Sequence, residues 1–158
     1  MLKINSLEQE KIFMQEALKA AKQAFDLGEI PIGAVVVNKD GELIASAFNS
    51  TIRNCDPTAH AEILALQMAA KNIGNYRLSE CSLFVTIEPC VMCIGAIIQA
   101  RVQNLYFGAN NLKGGAGGSC FDLYRNKELN HSLYSVKSGI LAEECRNLMQ
   151  NFFQNKRK

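Results

Sequence analysis

Thr86-Ile87-Glu88-Pro89-Cys90-Val91-Met92-Cys93 decides how this chain is read. Two cysteines stand three apart, after a proline and before the apolar run Ile94-Gly95-Ala96-Ile97-Ile98. Proline is favoured at the first position of a helix. The spacing therefore predicts a helix opened by Pro89 and ending near Ala100, with Cys90 and Cys93 in its first turn. Residues three apart share one helix face, and the positive end of the helix dipole favours thiolate over thiol there. Two converging thiolates are half of a zinc site.

The other half is sought upstream. His60-Ala61-Glu62 is the candidate, because the second histidine, His131, has no such neighbour. One imidazole and two thiolates leave the fourth tetrahedral position open to water, the catalytic rather than the structural arrangement. Glu62 is then a carboxylate beside a water of lowered pKa, able to take its proton and carry it to a substrate. Residues two apart do not share a helix face. His60 and Glu62 can thus serve one ion only if it lies off the N-terminal end of their helix. Two blander uses of the cysteines are set against this. In a thioredoxin-type redox pair the proline would lie between the cysteines, whereas here it precedes them, and the chain has no tryptophan to flank them. A structural zinc site needs a fourth ligand, for which Cys120 or Cys55 is available.

Upstream of the motif, Leu7 to Leu27 carries Ile12, Phe13, Leu18, Ala21 and Phe25 at roughly helical spacing, with Gly28 as its terminator. Ile32 to Val37 is apolar on both faces and predicts a central strand. Lys39-Asp40-Gly41 is a hairpin signal, with Glu42 to Phe48 as the antiparallel partner. Asn49 to Pro57 is a polar loop, and Asp56 or Thr58 is placed to cap a helix running to about Lys71. After a connection at Asn75 to Ser79, Cys81 to Ile87 is a strand leading into Pro89. Downstream, Val102 to Gly108 is a further strand. Asn110 to Ser119 is a glycine-rich loop with special backbone angles. Ser132 to Lys137 is a last strand, and Gly139 precedes a final helix from Leu141 to about Phe153. Helices alternating with strands in this order predict an α/β chain with helices on both faces of a mixed sheet.

A length of 158 residues fits one domain, 1–158, with 48% hydrophobic and 20% charged residues. The longest apolar runs are far too short to span a membrane. Met1 to Glu10 holds no apolar signal core, so the expected location is the cytoplasm. Cytosolic thiols stay reduced, which predicts free thiols at Cys55, Cys81, Cys120 and Cys145. A net charge of only +2 confines any nucleic-acid site to a local patch. The Lys156-Arg157-Lys158 tail is one candidate, although such tails commonly serve only solubility.

His-Ala-Glu followed by Pro-Cys-Val-Met-Cys resembles the zinc-dependent nucleoside and nucleobase deaminases. Within that superfamily the chain looks most like the bacterial tRNA-specific adenosine deaminases, from about Gly28 to about Phe153. The resemblance implies the cytidine-deaminase-like three-layer α/β/α sandwich on a mixed sheet of about five strands. It implies one zinc ion per subunit on His60, Cys90 and Cys93, with Glu62 as the proton shuttle. It implies a tRNA anticodon loop as substrate, adenosine-to-inosine conversion at the wobble position, and a homodimer.

Asn49 matches an asparagine that touches the base and ribose, and Ile30 and Ala59 match the pocket wall. Read from sequence alone, Asn49 is an Asx-turn residue and the other two are core. Gly108 to Ser119 resembles the family's glycine-rich loop beside the active site. Lys113 fits it as a phosphate contact. Asn111 departs from it, because the family usually has aspartate there. A neutral amide lowers repulsion toward a phosphate backbone. Asn130-His131 matches a family pair. Phe152-Phe153 matches an aromatic pair, with Phe153 assigned to stack on an unpaired base, although two core aromatics are the plainer reading. Gln154 follows where the family more often has arginine. The rivals sharing this chemistry are deaminases of guanine, cytosine, deoxycytidylate or a riboflavin precursor. The rival of another class is a zinc-stabilised RNA-binding protein, which would have no use for Glu62.

Overall fold

The first helix, α1 (Leu7–Asp26), starts at Ser6, whose Oγ accepts the Gln9 N–H at 3.2 Å. Its inward stripe is Met14, Ala17, Ala20, Ala21 and Ala24, and the shortness of alanine lets the helix lie close to the sheet. Gly33 completes that approach: a Cβ there would collide with the backbone of Ala17 and Ala21. The coordinates are a computed structural model that describes Ile4 and residues 6–157. The remainder of the N-terminal signal reading, and Lys158 of the basic tail, lie outside the described residues.

β1 (Gly33–Val37) and β2 (Leu43–Phe48) form the expected hairpin. Asn38 sets its turn, its Oδ1 accepting the N–H groups of Asp40 and Glu42 at 3.0 Å each. Then follow α2 (Ala61–Ile73), β3 (Ser82–Ile87), α3 (Val91–Gln99), β4 (Asn104–Ala109), β5 (Ser135–Lys137) and α4 (Ala142–Lys156). The sheet order is β2-β1-β3-β4-β5. β1 runs antiparallel to both neighbours, whereas β3, β4 and β5 are mutually parallel. Alternate residues of β1 feed the two cores. Ala34 and Val36 pack with Ala61, Ala65, Ile94 and Ile97 beneath α2 and α3. Val35 and Val37 pack with Met14, Ala17, Phe84 and Cys145 beneath α1 and α4. This is the expected three-layer α/β/α sandwich on a mixed five-stranded sheet. Among the described residues, no helix is long and apolar enough to cross a membrane.

Three of the boundaries that differ from the sequence reading have a clear local reason. Neither Asp56 nor Thr58 caps α2. Asp56 Oδ1 is spent on the Thr58 N–H and hydroxyl, at 2.8 and 2.7 Å, and the cap position falls to His60. Pro89 does not open α3. It lies just outside, with Cys90 at the cap and Cys93 in the first turn. β5 begins at Ser135 rather than Ser132, because the preceding segment is held only at isolated points. Tyr134 N–H donates to the Gln103 carbonyl at 2.8 Å, and the His131 ring lies 3.1 Å from the Val102 carbonyl.

Parallel strands put their carboxyl ends on one side, where open α/β sheets gather ligands. β3 and β4 both end there, at Ile87 and Ala109, and the N-termini of α2 and α3 meet at the same side through His60 and Cys90.

Candidate metal centre and active site

His60 ends an extended segment (φ −72°, ψ 152°) and occupies the cap of α2 without capping it, since its side chain makes no cap hydrogen bond. Cys90 stands in the same relation to α3. Both side chains are turned instead toward each other. His60 Nδ1 lies 3.8 Å from Cys90 Sγ and 3.5 Å from Cys93 Sγ. A tetrahedral ion with ordinary zinc–sulfur and zinc–nitrogen bonds sets its nitrogen and sulfur ligands about 3.6 Å apart, which these distances match. The three donor atoms lie within 4.8 Å of one another and form the single such group among the described residues. Cys55 and Cys120, the possible fourth ligands of a structural site, are outside it and exposed. The earlier geometric condition is met: the donors converge off the ends of two helices, so His60 and Glu62 need no common helix face.

Electrostatics favour a cation in this group. Hydrogen bonds from Cys93 and then His60 drive the Cys90 thiol down to about 4. The thiolate so formed holds the Cys93 thiol well above the ordinary range, and burial adds to this. His60 is raised, chiefly by its hydrogen bond to Cys90. Two thiols so close accept one negative charge unaided, and a second ionisation needs a positive ion between them.

Glu62 sits in the first turn of α2 and is 4% exposed. Burial raises its pKa from the usual 4.5. Its Oε1 is the one buried side-chain polar atom with no hydrogen-bond partner among the described residues. An unsatisfied buried acceptor costs stability. A polar ligand, such as water beside the three donors, would satisfy it.

The other residues singled out from sequence fall around this centre unevenly. Asn49 is 4% exposed, and its amide nitrogen lies 3.4 Å from Glu29 Oε2 and 3.5 Å from Thr51 Oγ1. Ala59 is fully buried next to His60, and its carbonyl accepts the Ser50 N–H at 3.0 Å, tying the Asn49 loop to the start of α2. Ile30 is half-buried beside Glu29. Asn111 Oδ1 accepts the N–H groups of Lys113 and Gly114 at 3.3 Å each, an Asx-type turn, while Lys113 itself is exposed. Phe152 is buried and packs edge-on against Phe25, while Phe153 is 40% exposed. Both stand on α4, in the layer opposite α2 and α3. Asn130 and His131 lie by the start of β4, at the other end of the sheet from the donors. The Asn130 carbonyl accepts Arg101 Nη1 at 2.8 Å.

Two residues that sequence reasoning passed over brace the loops here. Glu29 is fully buried, and its carboxylate accepts the N–H groups of Arg53 at 2.7 Å and Ile52 at 3.3 Å besides the Asn49 amide. Glu88, 2% exposed, accepts from Gly117 at 2.9 Å and from Asn111 and Ser119 at 3.1 Å each. One signal was available for Glu88: an acidic residue closing an apolar strand, directly before Pro89.

Residues 8–157 match a family model described as MafB19-like deaminase. A tRNA-specific adenosine deaminase of Haemophilus influenzae is 49% identical over 99% of this chain and 89% of its own length. One from Bacillus subtilis is 43% identical over 96% of this chain and 93% of its own. Among solved structures, one from work on A-to-I editing by tRNA:A34 deaminases at the wobble position of transfer RNA superimposes with a TM-score of 0.83. It shares 42% identity, covering 87% of this chain and 98% of that one. A guanine deaminase from Nitrosomonas europaea gives a TM-score of 0.78 at 26% identity, covering 90% of this chain and 83% of that one.

Proposed function

The chain belongs to the MafB19-like deaminases and, within them, to the tRNA-specific adenosine deaminases, and we propose on that premise that it is a zinc enzyme converting the wobble adenosine of a tRNA anticodon to inosine. The observation that carries the reading is the unpartnered Glu62 Oε1 beside the convergent His60, Cys90 and Cys93 donors. His60 Nδ1 and the Sγ atoms of Cys90 and Cys93 would hold one zinc ion per chain, which would lower the pKa of a water beside Glu62.

The chain's own residues do the rest. Glu62 would take a proton from the attacking water and give it to N1 of adenine as C6 gains the oxygen. Glu62 then carries the second proton to the departing amino group, so that water is consumed and ammonia leaves. Burial suits Glu62 to this, because it raises the carboxyl above its ordinary pKa and so makes the protonated form easier to reach during the transfers. The positive ends of α2 and α3 support the thiolates.

The base reaches the pocket by flipping out, at lower cost from a loop than from a duplex. Asn49 holds the base and ribose, with Ile30 and Ala59 forming the wall. Lys113 and Asn111 face the phosphate backbone, and the exposed ring of Phe153 stacks on an unpaired base. The chain works as a single domain, as a homodimer in the cytoplasm, where its tRNA is.

The test is to incubate the protein with an anticodon stem-loop containing wobble adenosine, with and without chelator. Inosine formed only without chelator is the expected result. Deamination of guanine, cytosine or deoxycytidylate in parallel reactions, with the stem-loop untouched, overturns the tRNA reading while keeping the chemistry.

A further inference from the structure

Glu88 is buried, lies two residues before a metal-ligating cysteine, and has no part in the proton transfers above. Its carboxylate is surrounded by backbone donors of one loop: Asn111 on Oε1, and Gly117 and Ser119 on Oε2. The loop is shaped around it. A Cβ on Gly115 would run into the Glu88 carboxylate and the Ser119 hydroxyl, and one on Gly117 would crowd Glu88 Cγ. The backbone on either side of the side chain is tied to the same loop. Glu88 N–H donates to the Ala109 carbonyl at 2.8 Å, the Pro89 carbonyl accepts the Ala116 N–H at 2.8 Å, and Cys90 forms a β-bridge with Gly115. The register of the loop is thereby set by the segment that carries Cys90.

We propose that Glu88 is a positioning residue that fixes the Asn111–Ser119 loop in the conformation that grips nucleic acid, and that it acts on substrate affinity rather than on proton transfer. This rests on the deaminase reading for its substrate. The chemistry requires a carboxylate. An ionised carboxylate only accepts hydrogen bonds, so it satisfies all three N–H groups, each strengthened by the charge. A glutamine has one accepting oxygen and an NH₂ group, which would face N–H groups donor to donor. The tip of the loop is open to solvent: Leu112 is 79% exposed, and Lys113 is exposed as well. Without Glu88 the Asn111 turn and the Ala116 contact with Pro89 can persist, while the N–H groups of Asn111, Gly117 and Ser119 lose their common acceptor and the exposed tip is no longer fixed against them.

The experiment compares wild type with Glu88→Gln and Gly115→Ala, all zinc-loaded. It measures amide hydrogen exchange, metal content, and kcat and KM on the anticodon stem-loop. In both variants the amides of residues 111, 117 and 119 should exchange at least about tenfold faster, as expected for losing a bond to a buried charge. Amides in the centre of α2 should not change. KM should rise about tenfold, with kcat at saturation within about threefold of wild type and zinc retained. The double variant should be no worse than the poorer single, since both lesions remove one contact. If Glu88→Gln does not fold, Gly115→Ala carries every readout. Unchanged exchange, a fall in kcat at constant KM, or loss of zinc from either variant overturns the proposal. A wild type that forms no inosine overturns the deaminase reading instead, and the exchange data still decide whether Glu88 holds the loop.

Discussion

Replacing Glu62 by glutamine keeps the size of the side chain and removes the base. General acid–base catalysis by a placed side chain contributes roughly 10² to 10⁴ in rate. At about 1.36 kcal/mol per decade, its loss corresponds to about 3–5 kcal/mol of transition-state stabilisation. The same change should act oppositely on the metal-free fold. Glu62 Oε1 is buried without a partner, a penalty of about 1–3 kcal/mol, part of which a neutral amide avoids. A gain of about 1 kcal/mol is about 2–4 °C in Tm for a chain of this size. The gain depends on pH in a defined direction. Burial raises the Glu62 pKa above 4.5, so the folded chain keeps a proton that the unfolded chain gives up. Stability of the metal-free wild type therefore falls as pH rises from about 4.5 through the raised folded value. Glutamine carries no such proton, and the Tm gap should widen over that range. The assay is single-turnover inosine formation on an anticodon stem-loop, with zinc content and metal-free Tm measured on the same preparations. A zinc-replete Glu62→Gln variant within about tenfold of wild type would refute the reasoning, because another group would then be moving the protons.

Chelation should abolish activity and lower Tm, and added zinc should restore both. Cys90→Ser should bind no stoichiometric zinc in elemental analysis, and full zinc retention would show the donor set to be wrong. Asn111→Asp should preserve the Asn111 turn, because a carboxylate accepts the Lys113 and Gly114 N–H groups equally well. It therefore isolates the charge. DNA hairpins should lose activity relative to RNA hairpins by about 1 kcal/mol, and by less at high salt, whereas equal RNA-to-DNA ratios in the two proteins would remove this position from discrimination. Gly33→Ala drives a Cβ into the backbone of Ala17 and Ala21. It should cost about 1–3 kcal/mol, and an unaltered Tm on thermal melting would mean that α1 does not need the close approach.

The convergent group was legible because a histidine, a carboxylate two residues on and a closely spaced cysteine pair are chemically specific types, and His60, Glu62, Cys90 and Cys93 carry that signal in their identities. The hairpin and α1 were legible for the corresponding local reasons: Asn38 to Gly41 make a turn, and apolar residues recur along Leu7–Asp26. Glu29 and Glu88 were not legible. A glutamate in a sequence is taken to be solvated, and the partners that bury these two are mostly backbone N–H groups. Those donors belong to residues of any type, 23 to 31 positions away. The caps were misread for a related reason. Asp56 and Thr58 are good capping types, but they satisfy each other. The cap position went to His60, whose preference for it is set by the site and not by the helix.

That exchange has a consequence for how the chain depends on its surroundings. α1 begins in the ordinary way, on the Ser6 hydroxyl, whereas α2 and α3 begin on residues that leave their first N–H groups without a side-chain cap. An ion seated among the three donors would stitch the two starts together and keep the cysteine sulfurs ionised, and negative sulfur is what the positive helix ends favour. Whatever binds only the folded chain stabilises it by mass action, by about 2.7 kcal/mol when free ligand stands a hundredfold above its dissociation constant. The abundance of this protein in a cell would thus follow the local supply of metal. Scarcity would be felt first as fraying at two helix ends, and so as faster turnover by proteases, before any shortage of substrate or product was registered.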